Sequence, residues 1–196
     1  MSNSAAETIL NAVVNRRTIY SLTPELPAGV TIFDVKHAVQ TIVKEIPTAF
    51  NGQSNRAVIL TGAPHKKLWD TVANSIGSDA GKKRPISARD EAYGTVLFFT
   101  DDKTTADLQA QFASFADAFP VFATHSSGGA QMMAWTTLEA MGLGGHLQHY
   151  NGLVKNGLPE EVNAEGWTAH SQLVFGKPAV PAGEKTYIEN DVTIYN

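Results

Sequence analysis

The chain has 196 residues, a formal net charge of -4 and no cysteine. This length fits a single domain over residues 1–196, and the acidic balance argues against a dedicated nucleic-acid-binding protein, which usually carries a basic excess. The lack of cysteine excludes disulfides, thiolate metal sites and cysteine nucleophiles.

The N-terminal segment predicts no secretory signal, because no basic region is followed by an apolar one. No apolar run approaches the ~20 residues that span a bilayer. We therefore expect a cytoplasmic protein without membrane contact.

A first helix is predicted close to the N-terminus. Ser4 and Glu7 form a capping-box pattern, and the apolar residues that follow lie on one helical face: Ile9, Leu10, Val13 and Val14. The helix should end at Arg16-Arg17-Thr18, where two guanidinium groups and a hydroxyl suit a phosphate. The alternative, which these residues alone favour, is a solvated pair of arginines that complements the helix dipole.

The second helix has the strongest periodicity in the chain. It opens at Thr31 and Asp34, Pro47 ends it, and its apolar residues recur with a period of 3.6: Ile32, Val35, Val39, Ile42, Val43 and Ile46. Residues 47–56 form a polar loop that runs into a strand at residues 57–60. Thr48, Asn51 and Gln53 can donate and accept hydrogen bonds, which suits a polar planar ligand. These loop residues alone favour the alternative, an ordinary helix-to-strand connection.

The middle of the chain predicts two helices around a buried strand. Pro64 opens a third helix with apolar residues up to Ile76, and residues 94–100 are a strand buried on both faces. We interpret residues 77–90 as a loop whose Lys82-Lys83-Arg84 run is solvated, and we assign no function to that run. A fourth helix follows, in which an aromatic stripe is assigned to the core: Leu108, Phe112, Phe115 and Phe119.

The C-terminal half predicts a central or interface helix. Residues 126–141 are apolar on nearly all sides, with one charge at Glu139, and glycines at 142–145 would let the backbone approach a ligand. Residues 159–167 predict a short acidic helix and turn, and residues 172–175 a strand. The alternating run at residues 186–195 predicts a terminal strand, which needs a sheet edge in its own subunit or in a partner.

Common catalytic motifs are absent. Gly142-Leu143-Gly144-Gly145 closes a helix rather than following a strand, so it is no dinucleotide fingerprint. No phosphate loop, nucleophile elbow or pair of carboxylates for acid–base chemistry is present. His146 and His149 stand three apart, but no third ligand suggests itself, so the metal signal is weak. We assign no catalytic side chain and no metal.

Several segments, taken together, resemble one family. Arg16-Arg17-Thr18 resembles the Arg-x-Ser/Thr phosphate motif of the FMN-dependent nitroreductases, and residues 47–54 resemble their flavin-contacting Pro-Ser/Thr-x-x-Asn-x-Gln loop. Ser54-Asn55, in place of the usual Pro-Trp, is similar to the short single-domain fungal and bacterial branch. The segments 94–99, 126–151, 175–178 and 183–185 also resemble that branch. One departure is Asp191, which stands roughly where the family often has a second cation.

The resemblance implies an α+β fold, a mostly antiparallel sheet flanked by helices, in an intertwined homodimer with FMN at each of two interfaces. It implies a ping-pong enzyme that takes electrons from NAD(P)H and passes them to a planar nitroaromatic or quinone-like acceptor. The implied FMN-binding residues are Arg16, Arg17, Thr18, Thr48, Ala49, Phe50, Asn51, Gln53, Gly144, Gly145, His146 and Lys185. Backbone N–H groups of Gly144 and Gly145 would stabilise negative charge on the reduced ring. His146 would be a proton donor or a stacking partner.

Two other functions stay open. One is a flavin-binding regulatory or stress-response module with little turnover. The other is a cofactor-free interaction protein in which the apolar helix drives dimerisation.

Overall fold

The computed structural model describes residues 4–196, and seven α-helices and five β-strands lie in this range. The helices are α1 (Ser4–Asn15), α2 (Ile32–Glu45), α3 (Gly62–Asn74), α4 (Asp79–Glu91), α5 (Asp102–Gln111), α6 (Phe119–Ala140) and α7 (Asn151–Val154). The strands are β1 (Leu22–Thr23), β2 (Asn55–Thr61), β3 (Gly94–Asp101), β4 (Gly144–Gln148) and β5 (Trp167–Pro178). Short 3₁₀ segments occupy Ala49–Asn51, Ala113–Ala118 and Lys155–Gly157.

The strands form one antiparallel sheet. Its order is β1-β5-β3-β2, and β4 pairs with β5 beside β1. β2 pairs only with β3 within the described range, so its other edge is free of strand partners. The predicted α+β fold, with a mostly antiparallel sheet flanked by helices, is confirmed.

The central strand β3 is buried on both faces, as predicted. Successive side chains of a strand point to opposite faces, so Leu97 and Phe99 pack with α3 and α4 in one core cluster. Val96 and Phe98 pack with α2 and α6 in the other. The sheet therefore separates two helical layers, and α6 lies on the same layer as α2.

The polar start of α2 forms the predicted cap. The Asp34 carboxylate accepts the Thr31 amide at 2.8 Å, and the Thr31 hydroxyl accepts the Asp34 amide at 3.3 Å. Val35 and Val39 are buried beneath the helix. The cap fixes where α2 begins, and the apolar stripe fixes the side that packs on the sheet. The helix ends at Glu45, and residues 47–54, which form one half of the candidate site, follow directly.

The loop predicted for residues 77–90 is wrong, because this segment forms α4. Glycine and proline weaken its intrinsic helix propensity, and Pro85 lies inside the helix. Contacts with α3 support it instead: the His65 ring lies 2.9 Å from the Ala88 carbonyl oxygen, and Arg89 pairs with Asp70 at 2.6 Å. The local sequence has no periodicity that reveals this packing.

The predicted fourth helix is interrupted. α5 ends at Gln111, Phe112 takes a non-helical conformation (φ -124°, ψ 63°), and Phe119 already belongs to α6. Phe115 is 53% exposed, so the aromatic stripe is not uniformly core. The aromatic residues recur with helical spacing, but the helix itself does not continue past Phe112.

Two C-terminal predictions are also wrong for the single chain. Residues 159–167 contain turns rather than a helix, and the short helical segments precede them, from Asn151 to Gly157. Residues 186–195 form no strand, and their large apolar side chains are exposed. The tail has no strand partner within its own chain.

The apolar face of α1 is likewise uncovered within the described range. The helix forms as predicted, but Ile9, Leu10, Val13 and Val14 are each more than half exposed. None of the helices in residues 4–196 combines the length and apolarity needed to cross a membrane.

His65 should make the fold sensitive to acid. Its Nε2–H donates to the Ala88 carbonyl at 2.9 Å, so its Nδ1 accepts the Thr95 hydroxyl at 3.0 Å, while Thr95 Oγ1 accepts the Trp69 indole N–H at 2.9 Å. Burial lowers the pKa of His65 to about 4. The unfolded chain protonates this imidazole below about pH 6.5, whereas the folded chain does not. The contribution of His65 to stability is therefore complete above that pH and is lost at about 1.4 kcal/mol per pH unit down to about pH 4. The other buried histidine, His146, adds a loss of its own, because burial lowers its pKa as well.

Urea unfolding at pH 7, 6 and 5 measures this loss. The His65→Gln variant should be less stable at pH 7 but should lose less on acidification. His125→Gln, a change at an exposed histidine of α6, should retain the wild-type slope. Equal slopes for wild type and His65→Gln would contradict the assignment.

Candidate functional site

Residues 47–54, which we call the amide loop, connect α2 to β2 in a strained conformation. Phe50, Asn51 and Gln53 have φ angles of 53°, 52° and 53°, a left-handed region that residues other than glycine rarely adopt. The Thr48 carbonyl accepts the Asn51 amide at 3.0 Å, and its hydroxyl accepts the Gln53 amide at 2.9 Å. Such strain is concentrated at functional sites. The loop holds the exposed amide side chains of Asn51 and Gln53 in a preset arrangement.

The amide loop is anchored at its centre. The Ala49 carbonyl accepts the Gly52 amide at 3.0 Å. A Cβ at Gly52 would lie 2.4 Å from Leu108 Cδ1, so any larger residue there would force the Leu108 side chain of α5 to move. The Phe50 ring packs against Phe119, the first residue of α6, with 5.4 Å between ring centroids. The loop is thus attached to the N-terminal end of α6.

A second group of predicted residues, Arg16, Arg17, Thr18 and Lys185, forms what we call the cationic cluster. The Arg17 guanidinium donates to the carbonyl oxygen of Gly183, which lies two residues before Lys185. This hydrogen bond joins segments that are 166 residues apart. The structure therefore brings the N-terminal motif and the C-terminal segment together. Thr18 and Lys185 are close to this junction in sequence and are both exposed, and the Lys185 ammonium lies 5.4 Å from the Tyr187 ring centroid.

A tryptophan and a glutamate on α6 support the cluster. The Arg16 guanidinium lies over the Trp135 ring, 4.4 Å from its centroid. The Glu139 carboxylate accepts the Arg17 backbone amide at 2.6 Å and the Trp135 indole N–H at 3.0 Å. Burial raises the pKa of Glu139, against the opposing effect of these hydrogen bonds and of the two arginines.

The cluster's positive charges have no acidic side chain in direct contact. None of the ion pairs found across residues 4–196 involves Arg16, Arg17 or Lys185. Guanidinium groups beside an exposed hydroxyl offer several donors to an anion with several oxygens. This arrangement fits a phosphate.

Gly144 and Gly145 lie next to the cluster, inside β4. The Gly145 carbonyl accepts the Ile19 amide at 2.9 Å, so β4 runs directly beside the Arg16–Thr18 segment. Both glycines are buried. A Cβ at Gly145 would lie 2.9 Å from the Val174 carbonyl oxygen, and a Cβ at Gly144 would press on Leu22. These glycines allow close packing of the strand.

His146 also lies in β4 and is 1% exposed. Its Nδ1 accepts the Gln148 side-chain amide at 3.0 Å, and its ring packs on Tyr20 with 5.2 Å between centroids. Burial, and secondarily the charge of Arg84, lowers the pKa of His146 to about 3. The imidazole is therefore neutral at pH 7, and it packs on a protein ring.

Four residues near the cluster were not predicted as site residues: Tyr20, Arg84, Trp135 and Glu139. Arg84, which the sequence assigned to a solvated run, lies on α4 with its guanidinium 4.2 Å from the Tyr20 ring centroid. In the sequence, Glu139 stands out only as the one charge of an apolar segment. A lone acid spaced four residues after a tryptophan on a buried helix was the available signal for this pair.

The amide loop and the cationic cluster lie apart within one protomer. The loop contacts α6 at Phe119, whereas the cluster contacts it at Trp135. Sixteen helical residues separate these contacts, which is about 24 Å along the axis and nearly half a rotation around it. One small ligand does not reach both groups in a single chain.

An open groove of about 690 Å³ runs between α2 and the free edge of β2. Apolar side chains line it, including Val39, Val43 and Ile59, with Lys36 and Lys44 also among its lining residues. Asn55 lines it too; its side chain is buried, and neither its Oδ1 nor its Nδ2 has a hydrogen-bond partner in the described structure. Buried amides are normally hydrogen-bonded.

The described residues contain no group of three or more His, Asp or Glu side chains that could hold a metal ion. His149, the second histidine of the weak metal signal, is exposed while His146 is buried.

Two curated relatives from Saccharomyces cerevisiae match nearly the whole chain. HBN1 is 62% identical over 193 residues, covering 98% of this chain and 100% of HBN1. The nitroreductase FRM2 is 54% identical over 187 residues, covering 95% of this chain and 96% of FRM2. No family model matches the sequence.

Solved structures show the same fold. A nitroreductase from Saccharomyces cerevisiae superimposes with a TM-score of 0.83 at 54% identity, covering 88% of this chain and 97% of its own. The Lactococcus lactis nitroreductase CinD, in complex with chloramphenicol, has a TM-score of 0.83 at 39% identity, with 92% and 95% covered. CinD complexes with nicotinic acid and with 4-nitrophenol each have a TM-score of 0.82, at 38% and 39% identity. An FMN-bound protein from Desulfovibrio desulfuricans shares the fold alone, with a TM-score of 0.66 at 17% identity, covering 92% and 91%.

The length and identity of these matches agree with the motifs, the sheet and the site described above. This chain is an oxidoreductase that belongs to the nitroreductase family.

Proposed function

We propose that residues 1–196 form one FMN-binding domain that transfers electrons from NAD(P)H to nitroaromatic or quinone-like acceptors by a ping-pong mechanism. The observation that carries this proposal is the cationic cluster, in which two arginines whose guanidinium groups form no ion pair lie where the N-terminal motif meets the C-terminal segment. The amide loop adds exposed hydrogen-bonding side chains, held in a fixed arrangement, that can bind the polar edge of a flavin ring. The classes of acceptor, donor and cofactor are taken from the ligands bound in the solved structures of similar fold.

The donor set fits the two ends of FMN. Arg16, Arg17, Thr18 and Lys185 would hold the phosphate through charge-assisted hydrogen bonds. On the amide loop, Thr48, Ala49, Asn51 and Gln53 would contact the polar edge of the ring, and Phe50 would pack beside it. When bound, the flavin supplies the redox chemistry, accepting hydride from the nicotinamide and giving up electrons to the acceptor.

The protein's contribution is orientation and exclusion of water. Gly144 and Gly145 are buried in β4, so we propose that they position the cluster by close packing rather than by contacting the ring. His146 remains neutral and supports Tyr20. No protein side chain acts as a nucleophile in this scheme.

Two protomers complete each site in this proposal. Because the amide loop and the cationic cluster lie at opposite ends of α6, one flavin touches both only if they come from different chains. The uncovered apolar face of α1 and the exposed tail offer surfaces for a homodimer. The partner of this chain is then a second copy of itself.

We propose that the tail, residues 186–196, adds a strand to the free edge of the partner's β2. Alternate residues of a strand share a face, so Ile188, Val192 and Ile194 would lie together in the apolar groove. Glu189 and Asp191 would lie on the opposite face of this strand and point away from the groove. In this arrangement Asp191 serves the dimer rather than the phosphate.

The neighbours support the choice of substrates. CinD binds chloramphenicol and 4-nitrophenol, which both carry a nitrophenyl group, and it binds nicotinic acid, which has the pyridine ring of nicotinamide. FMN accompanies the same fold in the Desulfovibrio desulfuricans protein. These ligands match the donor, the acceptor and the cofactor that we propose for this chain.

The test is a visible absorption spectrum of the purified protein after incubation with FMN and removal of free flavin. The bound flavin should show its yellow absorption, NADH or NADPH should bleach it without oxygen, and 4-nitrophenol or a quinone should restore it. A spectrum that persists with both nicotinamides would favour the regulatory module. Protein that takes up no FMN would favour the cofactor-free interaction protein.

A further inference from the structure

Glu139 stands in an unusual place for an acid. It lies on α6 directly behind the cationic cluster, yet its carboxylate forms no ion pair there with either arginine. Its two oxygens are used separately: one accepts the Arg17 backbone amide at 2.6 Å and the other accepts the Trp135 indole N–H at 3.0 Å. Each oxygen of this half-buried carboxylate therefore accepts a hydrogen bond from a neutral N–H group.

These two hydrogen bonds control both arginines. The bond to the Arg17 amide fixes the main chain where the phosphate motif leaves α1. The bond to the indole fixes the plane of the Trp135 ring, and the Arg16 guanidinium lies over that ring at 4.4 Å. The Glu139 carboxylate thus fixes the main chain at Arg17 and the orientation of the Trp135 ring on which Arg16 lies.

A negative charge at this position also opposes a bound phosphate. Like charges repel, and the effect is larger in a partly buried site than in water. The two effects of Glu139 have opposite signs: its geometry favours phosphate binding, and its charge disfavours it. Measuring the sign of the net effect therefore decides which role dominates.

We propose that Glu139 is the positioning residue of the phosphate site, and that it orients Arg16 and Arg17 for an anionic ligand although it is itself an acid. This inference rests on the proposed binding of FMN. It assigns Glu139 no contact with the flavin and no step in electron transfer.

The test compares FMN with riboflavin, which has the same ring but no phosphate, in wild type and in Glu139→Gln. Glutamine has nearly the same shape but only one acceptor oxygen, so its NH₂ group must face either the Arg17 amide or the Trp135 indole. Loss of a hydrogen bond to a charged group should weaken FMN binding about tenfold. Riboflavin binding should be unchanged, because riboflavin does not use the arginines.

Glu161→Gln is the matched control, since it removes the same charge at an exposed position. It should leave both affinities unchanged, and thermal unfolding of the flavin-free proteins checks that all variants are folded. Tighter or unchanged FMN binding in Glu139→Gln would overturn the positioning role. An equal loss of FMN and riboflavin affinity would overturn it as well, because the damage would then be general.

If the protein does not bind FMN through its phosphate at all, the wild-type titrations show it. Wild-type protein that binds neither flavin, or that binds both equally, has no phosphate site, whatever the variant does. Wild-type protein that prefers FMN, with the same preference in Glu139→Gln, retains the function and refutes only the role of Glu139.

Discussion

Deleting residues 186–196 should yield a folded monomer that retains no FMN. The tail forms no strand within its own chain, and the exposed fractions of Ile188, Val192 and Ile194 are 88%, 94% and 78%. Burying such a side chain contributes about 1.5–3 kcal/mol. Since each dimer would bury two tails, we expect dimer affinity to fall by several orders of magnitude. The flavin site, which needs both protomers, should be lost with it.

Sedimentation and flavin titration measure the two effects together. The deletion keeps the Lys185 ammonium but removes the Tyr187 ring beside it and places a terminal carboxylate on residue 185, so a variant of the full-length chain is needed as well. Ile188→Asp should reproduce much of the defect by placing a charge in the apolar groove, whereas Asn190→Ser, a polar exchange in the same tail, should not. A shortened protein that still dimerises and binds FMN would refute the exchange of tails.

Replacing Arg16 with alanine should weaken FMN binding roughly ten- to hundredfold without unfolding the chain. A charge-assisted hydrogen bond contributes about 1.5–3 kcal/mol, which corresponds to that range of affinity. The side chain is half-buried over Trp135 and forms no ion pair. Its removal takes one of two nearby positive charges from Glu139, whose carboxylate keeps its hydrogen bonds to the Arg17 amide and the Trp135 indole, so the chain should stay folded. Riboflavin affinity should be nearly unaffected, which assigns the loss to the phosphate.

Equilibrium titration with both flavins measures this difference. Lys67→Ala, which removes an exposed positive charge from α3, is the control for the change in net charge. It should bind FMN as the wild type does. FMN affinity that is unchanged in Arg16→Ala would remove Arg16 from the site, and an equal loss for both flavins would show that the change disturbs the ring end as well.

The elements with strong periodic patterns follow directly from the sequence. α2 has a cap and an apolar stripe that recurs every 3.6 residues, and β3 is a short, continuous apolar run. Both form where the pattern predicts them, because their own residues encode which side is buried. The α+β class is what the resemblance to the nitroreductases implies, and the sheet and helices of the structure agree with it.

The pieces of the candidate site were visible as motifs, but their arrangement was not. The sequence indicates Arg16-Arg17-Thr18 and the amide loop separately, and only the structure shows that α6 holds them apart. Trp135 and Glu139 carry no motif of their own. Their role depends on a contact with Arg17, which is 122 residues from Glu139 along the chain.

The sequence by itself therefore determined the most periodic helix and strand and the chemistry of the ligand donors, because these depend on residue type and local spacing. Its motifs, taken in order, also determined the family and, through that resemblance, the fold class. The tertiary structure alone decided that residues 79–91 are a helix, that Phe112 interrupts the aromatic stripe and that the tail has no strand partner in its own chain. It also decided that Glu139 lies behind the arginines. Each of these depends on contacts between distant segments, and such contacts leave no periodic pattern in the local sequence.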